Sequence, residues 1–220
     1  MTAKLHWSPR SPFVRKVMIV LPETNQQDDI ELVNSLVATT LPPNQAVMDD
    51  NPLGKIPAFV PAEGPALFDS RVICEYLDMK TGGRLFPDSL APRMQQLRWQ
   101  TMADGLSDLL LVWRTELNRD GGPWDVLTNG YDAKVRAVMH RLESEADQLQ
   151  DAPFGIGHVS LICALGQLDF RWPDSGWTQR FPKLSALNQR WQTRASLQSV
   201  PPPVDEESAP VPHPLNFRLD

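Results

Sequence analysis

Three short stretches carry residue types that could do chemistry at the ends of helices. Ser11 stands between an alternating run, Lys4 to Trp7, and an apolar set at helical spacing, Val14, Val17, Met18 and Leu21. Pro12 follows it, and a helix loses nothing from a missing N–H at its first position, so Ser11 reads as an N-cap. Asp69 and Ser70 stand in the same relation to Val72, Ile73, Tyr76 and Leu77. Each helix would turn free N–H groups and the positive end of its dipole outward, a setting that suits a carboxylate or another anion. Between these stretches lies Ile56-Pro57, directly before Ala58-Phe59-Val60. Proline donates no ladder hydrogen bond, so Pro57 belongs at the first residue of a strand or at a bulge. A cis bond there would leave backbone groups free to pair with an extended peptide; a trans bond would make only a rigid turn. Simple capping is the competing reading for Ser11 and for Asp69-Ser70.

These groups need a sheet to bring them together, and the first part of the chain patterns as one. Lys4 to Trp7 and Ile30 to Val37 read as strands. Ala58-Phe59-Val60 and Ala66-Leu67-Phe68, separated by Pro61 to Pro65 with Gly64 inside, read as a hairpin. Thr39 to Asp50 is poorly patterned. The turn-rich segment from Thr81 to Pro92 reads as a linker between two units, 1–80 and 93–200. The second unit is helical throughout. A stripe from Met94 through Leu97, Thr101, Met102, Gly105, Leu109 and Val112 resumes helical spacing at Arg93. Tyr131 to Leu149, a buried stretch over 154–172, and Phe181 to Leu197 give three further helices. Residues 201–220 form a Pro-rich tail that is either disordered or an extended strap anchored by Leu215, Phe217 and Leu219.

Bulk properties narrow the function classes. The 220 residues, 41% of them hydrophobic, suffice for two small packed units, and a net charge of −6 argues against nucleic-acid binding. No apolar run reaches transmembrane length and no signal-peptide pattern opens the chain, so a soluble, cytoplasmic protein without a membrane partner is expected. The two cysteines, Cys74 and Cys163, lie in apolar helical stretches and read as small buried hydrophobes rather than a disulfide framework. The four histidines lack metal-ligand spacing, and no metal is expected.

The order NPLGKIPAF, then FDSRVICEYLD, preceded by SPRSPFVRKVMIVL, resembles the cytosolic glutathione S-transferase family, and within it the bacterial members with SPFVRK in the first helix. The resemblance implies an α/β thioredoxin-like N-terminal domain followed by an all-α C-terminal domain, with glutathione as co-substrate, a hydrophobic electrophile as its partner, and a homodimer. It places the catalytic serine at Ser11. A free thiol of pKa about 8.5 is little ionised at neutral pH, and a hydroxyl donating to the sulfur at a helix N-terminus would lower that value. Ser11 would act as donor, not base. By the same resemblance Lys55 approaches the glycyl carboxylate, with a solvated lysine on a turn as the competing reading, Ile56 pairs its backbone with the cysteinyl unit, and Pro57 holds that edge. Asp69 and Ser70 hold the γ-glutamyl end. Asp104 would reach the glutathione site of the neighbouring subunit, although an aspartate in a helix is more often simply solvated. Trp7, Trp113 and Arg114 are candidates to line the electrophile pocket, with burial in the core as the competing reading for the tryptophans.

Two other functions fit the same chain: a non-catalytic scaffold of this fold, and a glutathione-dependent peroxidase or reductase. Ser11, Pro57, Asp69 and Ser70 together favour the enzyme, and a serine rather than a cysteine at position 11 weakens the reductase. One departure from the family pattern concerns the buried helix over 154–172. The Ser/Thr-x-x-Asp box that relatives place at its start is missing, leaving His158 or Ser160 to cap it.

Overall fold

The computed structural model describes residues 2–38, 41–202 and 215–219. The chain begins with β1 (Ala3–Trp7), α1 (Pro12–Glu23), β2 (Ile30–Asn34), α2 (Gln45–Asp50), β3 (Ala58–Val60) and α3 (Ser70–Lys80). The sheet has the order β2-β1-β3, with β1 parallel to β2 and antiparallel to β3. Leu5 of β1 pairs with Phe59, and both are buried beneath Val17 and Ile73 of the covering helices. This small mixed sheet is the expected thioredoxin-like unit.

Two strand expectations are corrected. The segment Ala66–Phe68 forms a single bridge, Leu67 to Phe59, with N···O distances of 2.7 and 3.0 Å, rather than a strand. Pro65 lacks a donor on one side and α3 begins at Ser70 on the other, so there is no room for a second pair. β2 stops at Asn34 instead of Val37, because β1 ends at Trp7 and only Ser35 N–H finds its carbonyl, at 2.9 Å. The segment without clear pattern contains α2, capped by Asn44, whose side chain accepts from Val47 N–H. Asp50 at its end accepts from Lys4 Nζ at 2.6 Å and bonds His6 Nε2 at 2.8 Å, tying α2 to β1.

The linker is organised by one buried carboxylate. Asp78 accepts from the backbone N–H groups of Arg84, Leu85 and Phe86, at 2.8, 2.9 and 3.2 Å. Helix α4 (Leu90–Leu117) then starts three residues before Arg93, and α5 (Asp125–Ser144) starts before Tyr131. The helix expected to run unbroken to Leu149 is divided at Glu145 from α6 (Ala146–Asp151). Glu145 is held by Arg98, Arg141 and Trp99 Nε1, and these bonds keep its carboxyl at about 2. Helix α7 (Ile156–Arg171) is buried along nearly its whole length against α4. A short turn, α8 (Trp177–Arg180), leads to α9 (Pro182–Trp191) and α10 (Ala195–Ser199), which replace the single helix expected to Leu197. Arg194 between them makes a two-pronged bond to Glu23 of α1, at 3.0 and 2.9 Å. Of the expected tail anchors, Leu215 and Phe217 are buried, and Phe217 meets Phe181 edge-on at 5.1 Å. The Leu219 side chain and residues 203–214 lie outside the described residues.

The missing box on α7 is replaced by a different set of bonds. Gly155 is the N-cap, and His158 accepts its N–H at Nδ1 (3.1 Å) while Nε2–H donates to Leu149 carbonyl (2.9 Å). Gln96 of α4 accepts Gly157 N–H at 2.9 Å, and Leu85 carbonyl accepts Ile156 N–H at 3.0 Å. Each first-turn donor therefore has a partner. The two glycines permit this approach: a Cβ on Gly155 would lie 2.7 Å from Leu85 carbonyl, and one on Gly157 2.8 Å from Trp99 Cβ. His158 rather than Ser160 completes the cap, as a neutral imidazole enclosed by Trp99, Phe154 and Trp191.

The two units meet through a buried ion pair. Lys16 of α1 and Asp104 of α4 are 1% and 6% exposed in their side chains, and Nζ lies 2.7 and 2.9 Å from the two carboxylate oxygens. Arg71 of α3 adds Nε at 2.8 Å. Removing one partner strands a buried charge, so Asp104→Ala should cost about 3–5 kcal/mol in urea unfolding. The double variant Lys16→Met with Asp104→Leu should recover most of that loss. Burial lowers the His158 pKa from 6.5. A depressed folded value means that the unfolded chain binds the proton first, so stability is complete above pH 6.5 and falls as pH drops below it. Thermal unfolding between pH 7.5 and 5 should show that loss, and His158→Gln should flatten it.

Candidate functional site

The topology gathers the singled-out residues on one edge of the sheet. β1 runs toward that edge and delivers the chain into α1; β3, antiparallel to it, starts there; the Leu67 bridge, running with β1, ends there and delivers the chain into α3. The N-termini of α1 and α3 and the Ile56–Pro57 bond therefore share one side of the molecule. That bond is cis. Ile56 packs with Val14 of α1 and Val47 of α2, and Trp7 lies half-buried against the same cluster.

Ser11 caps α1, and its Oγ accepts from Val14 N–H at 3.2 Å. The bond uses a lone pair. The hydroxyl proton stays available to donate, so capping and donation to an anion are compatible roles of one side chain. At the second helix the acidic residue and the serine divide the work differently from simple capping by Ser70. Asp69 is the N-cap, with Oδ1 accepting Arg71 N–H at 2.8 Å, while Ser70 is the first helical residue and is 2% exposed. Lys55 is exposed, and its neighbour Asn51 donates to its carbonyl at 2.8 Å, fixing the turn that leads into Ile56.

Of the expected site residues, Asp104 and Trp113 are enclosed and Arg114 is half-buried. Asp104 is not solvated: Lys16 and Arg71 of its own chain bond both its oxygens. Trp113 is 1% exposed and packs against Trp172 in a tilted ring pair with centroids 5.9 Å apart, which follows the core alternative. Arg114 is half-buried, with Nε enclosed and without a hydrogen-bond partner among the described residues. The residue that sequence reading passed over is Asp108, one turn beyond Asp104. Desolvation pushes its carboxyl up, and the Lys55 ammonium pulls it partly back. Lys55 and Asp108 line an open groove of about 620 Å³ with Met102, Gly105, Leu109 and Val112. The spacing Asp104 to Asp108, one helical turn, was the available signal.

The cysteines take no part in this geometry. Both are buried free thiols, and burial pushes Cys74 up to about 12 and Cys163 to about 11. Among the described residues no group of His, Cys, Asp and Glu could hold a metal ion, and no helix is long and apolar enough to cross a membrane.

Comparison with known proteins agrees with this arrangement. The glutathione S-transferase N-terminal domain matches residues 10–80. A solved glutathione transferase family member from Pseudomonas fluorescens Pf-5, with bound glutathione, is 38% identical, with a TM-score of 0.86 over 92% of this chain and 100% of its own. A glutathione S-transferase from Methylobacillus flagellatus KT, with glutathione bound, is 30% identical, with a TM-score of 0.82 over 91% of this chain and 99% of its own. The uncharacterized GST-like protein YibF of Escherichia coli K12 is 30% identical over 205 residues, 91% of this chain and 98% of YibF. With likeness of that degree running through both the sheet and the helices, the chain belongs to the glutathione S-transferase family.

Proposed function

We propose that this protein binds glutathione along the edge that begins at Ile56 and activates its thiol for attack on a hydrophobic electrophile. The observation that carries the reading is Ser11, whose hydroxyl caps α1 through a lone pair and so keeps its proton for the sulfur. In this reading the backbone of Ile56 pairs with the cysteinyl unit. The γ-glutamyl carboxylate sits at the N-terminus of α3 with Ser70, Asp69 faces the amino group, and Lys55 approaches the glycyl carboxylate. Glutathione in the relatives from Pseudomonas fluorescens and Methylobacillus flagellatus supports the ligand.

The chemical step is simple. The thiol gives its proton to solvent, the Ser11 hydroxyl and the α1 N–H groups stabilise the thiolate, and its electron pair forms a carbon–sulfur bond. A leaving group then departs with the pair of the broken bond, or the carbanion formed by addition takes a proton. Lowering a thiol pKa by two units corresponds to about 2.7 kcal/mol, enough to make thiolate the main species near pH 7. Trp7 offers half-exposed aromatic surface beside Ile56, and Arg114 a cation; both are assigned to the electrophile side. Exposed Val72, Met79, Met94 and Val112 on α3 and α4 support a homodimer through that face. A reducing cytoplasm suits both the two unpaired cysteines and a glutathione kept as thiol.

Ultraviolet absorbance of the bound thiolate against pH tests the reading. Wild type should show a thiol pKa well below about 8.5. Ser11→Ala should raise it by about one to two units and lower kcat/KM toward a chloronitrobenzene probe at pH 7 by about 10–100-fold. Ser70→Ala should raise KM for glutathione by about tenfold and leave the thiol pKa unmoved, since it removes binding rather than activation. Failure of wild type to bind glutathione at millimolar concentration would overturn the proposal.

A further inference from the structure

Helix α1 carries a second buried cation beside Lys16. Arg15 is 6% exposed, and Nη1 donates to Ile162 carbonyl of α7 at 3.4 Å. Nε and Nη2 are enclosed and have no hydrogen-bond partner among the described residues. The guanidinium rests where Gly166 of α7 has no side chain: a Cβ there would lie 2.5 Å from Nη1. The other charges facing α1 have partners of their own. Lys16 is held by Asp104 of α4, which also takes Arg71 of α3, and Glu23 takes Arg194. Asp69 lies at the start of α3, accepting a backbone N–H. Asp169 of α7 is within electrostatic range of Arg15, but its hydrogen bond is to Trp177 Nε1, at 2.7 Å. Among the described residues, then, no carboxylate forms an ion pair with Arg15.

An unpaired guanidinium is costly to bury, and cavity filling alone would be met by an apolar side chain. What the charge supplies is a field. Arg15 stands one turn into the helix that Ser11 caps, about 6 Å along its axis, and Ser11 carbonyl accepts its backbone N–H at 3.0 Å. We propose that Arg15 assists thiol activation at a distance: its charge, without an ion pair among the described residues and held against α7 by the space at Gly166, adds to the positive end of α1 and favours the thiolate of bound glutathione. This rests on the glutathione-binding reading above. The guanidinium bonds to Ile162 carbonyl and not to Ser11 Oγ, so the part proposed for it is electrostatic. At an effective dielectric near 20, a unit charge about 10 Å away displaces a pKa by about one unit, and burial protects it from salt.

The test separates charge from packing by measuring the bound-thiol pKa in Arg15→Lys, Arg15→Gln and Arg15→Met, with thermal stability recorded for each. The expected result is a rise of about one unit in the Gln and Met variants and a value near wild type in the Lys variant, whatever the order of their stabilities. Should the neutral variants fail to fold, Gly166→Ala, which keeps the charge but pushes it from its seat, should raise the pKa by a smaller amount. A folded Gln or Met variant that binds glutathione with the wild-type thiol pKa would overturn the proposal, as would an unchanged Gly166→Ala value when neither neutral variant folds. Either result leaves the glutathione reading intact. Absence of glutathione binding by wild type would remove both.

Discussion

The contact on which the arrangement of the two units depends is the buried pair of Lys16 and Asp104. It joins the first helix of the sheet-bearing unit to the long helix of the second, and Arg71 brings α3 into the same carboxylate. An ion pair of this kind contributes little net stability compared with an apolar contact of the same volume, since both charges lose their hydration. Its effect is on register. Sliding α1 or α4 by one turn would leave an ammonium and a carboxylate facing hydrocarbon, at a cost of several kcal/mol. The pair therefore selects one way of docking the helices onto the sheet, and with it the position of the α1 N-terminus.

The helical unit solves its own polar problem around α7. This helix begins inside the protein, where free N–H groups have no water to meet. Gln96, Leu85 carbonyl and His158 supply acceptors from three parts of the chain, and glycines at 155 and 157 let those acceptors come close. The solution is tertiary where a Ser-x-x-Asp box would have been local. It couples the start of α7 to α4 and to the linker that Asp78 organises. The same closeness of α4 and α7 leaves Trp113 no route to a pocket.

At the sheet edge, local and tertiary causes act together. Ser11 is a cap by sequence and a hydrogen-bond donor by the geometry of that cap, because accepting Val14 N–H consumes no proton. The antiparallel pairing of β1 and β3 then sets Ile56–Pro57 beside it, and the Leu67 bridge sets α3 on the same side. Two helix dipoles converge where a small, multiply charged peptide could lie extended.

Much of this was legible in the residues themselves. N-caps at Ser11 and Asp69, the strands at 3–7 and 58–60, and the run of helices after the linker follow from periodicity and from side chains that bond their own backbone. Local rules worked because the causes were local. The pairing of Asp104 and the settings of Asp108 and Arg15 were not legible, and the choices of His158 over Ser160 and of core over pocket for Trp113 stayed open, since each depends on what another segment brings to it. The breaks at Glu145 and after Trp191 likewise follow from long-range bonds, to Arg98 and to Glu23, that carry no helical period. By itself, then, the sequence determined most of the elements, the caps at Ser11 and Asp69, and the resemblance to the family. Tertiary packing alone decided which charged side chains are spent on one another and which remain to act on a ligand, because burial and pairing are properties of neighbours far apart in the chain.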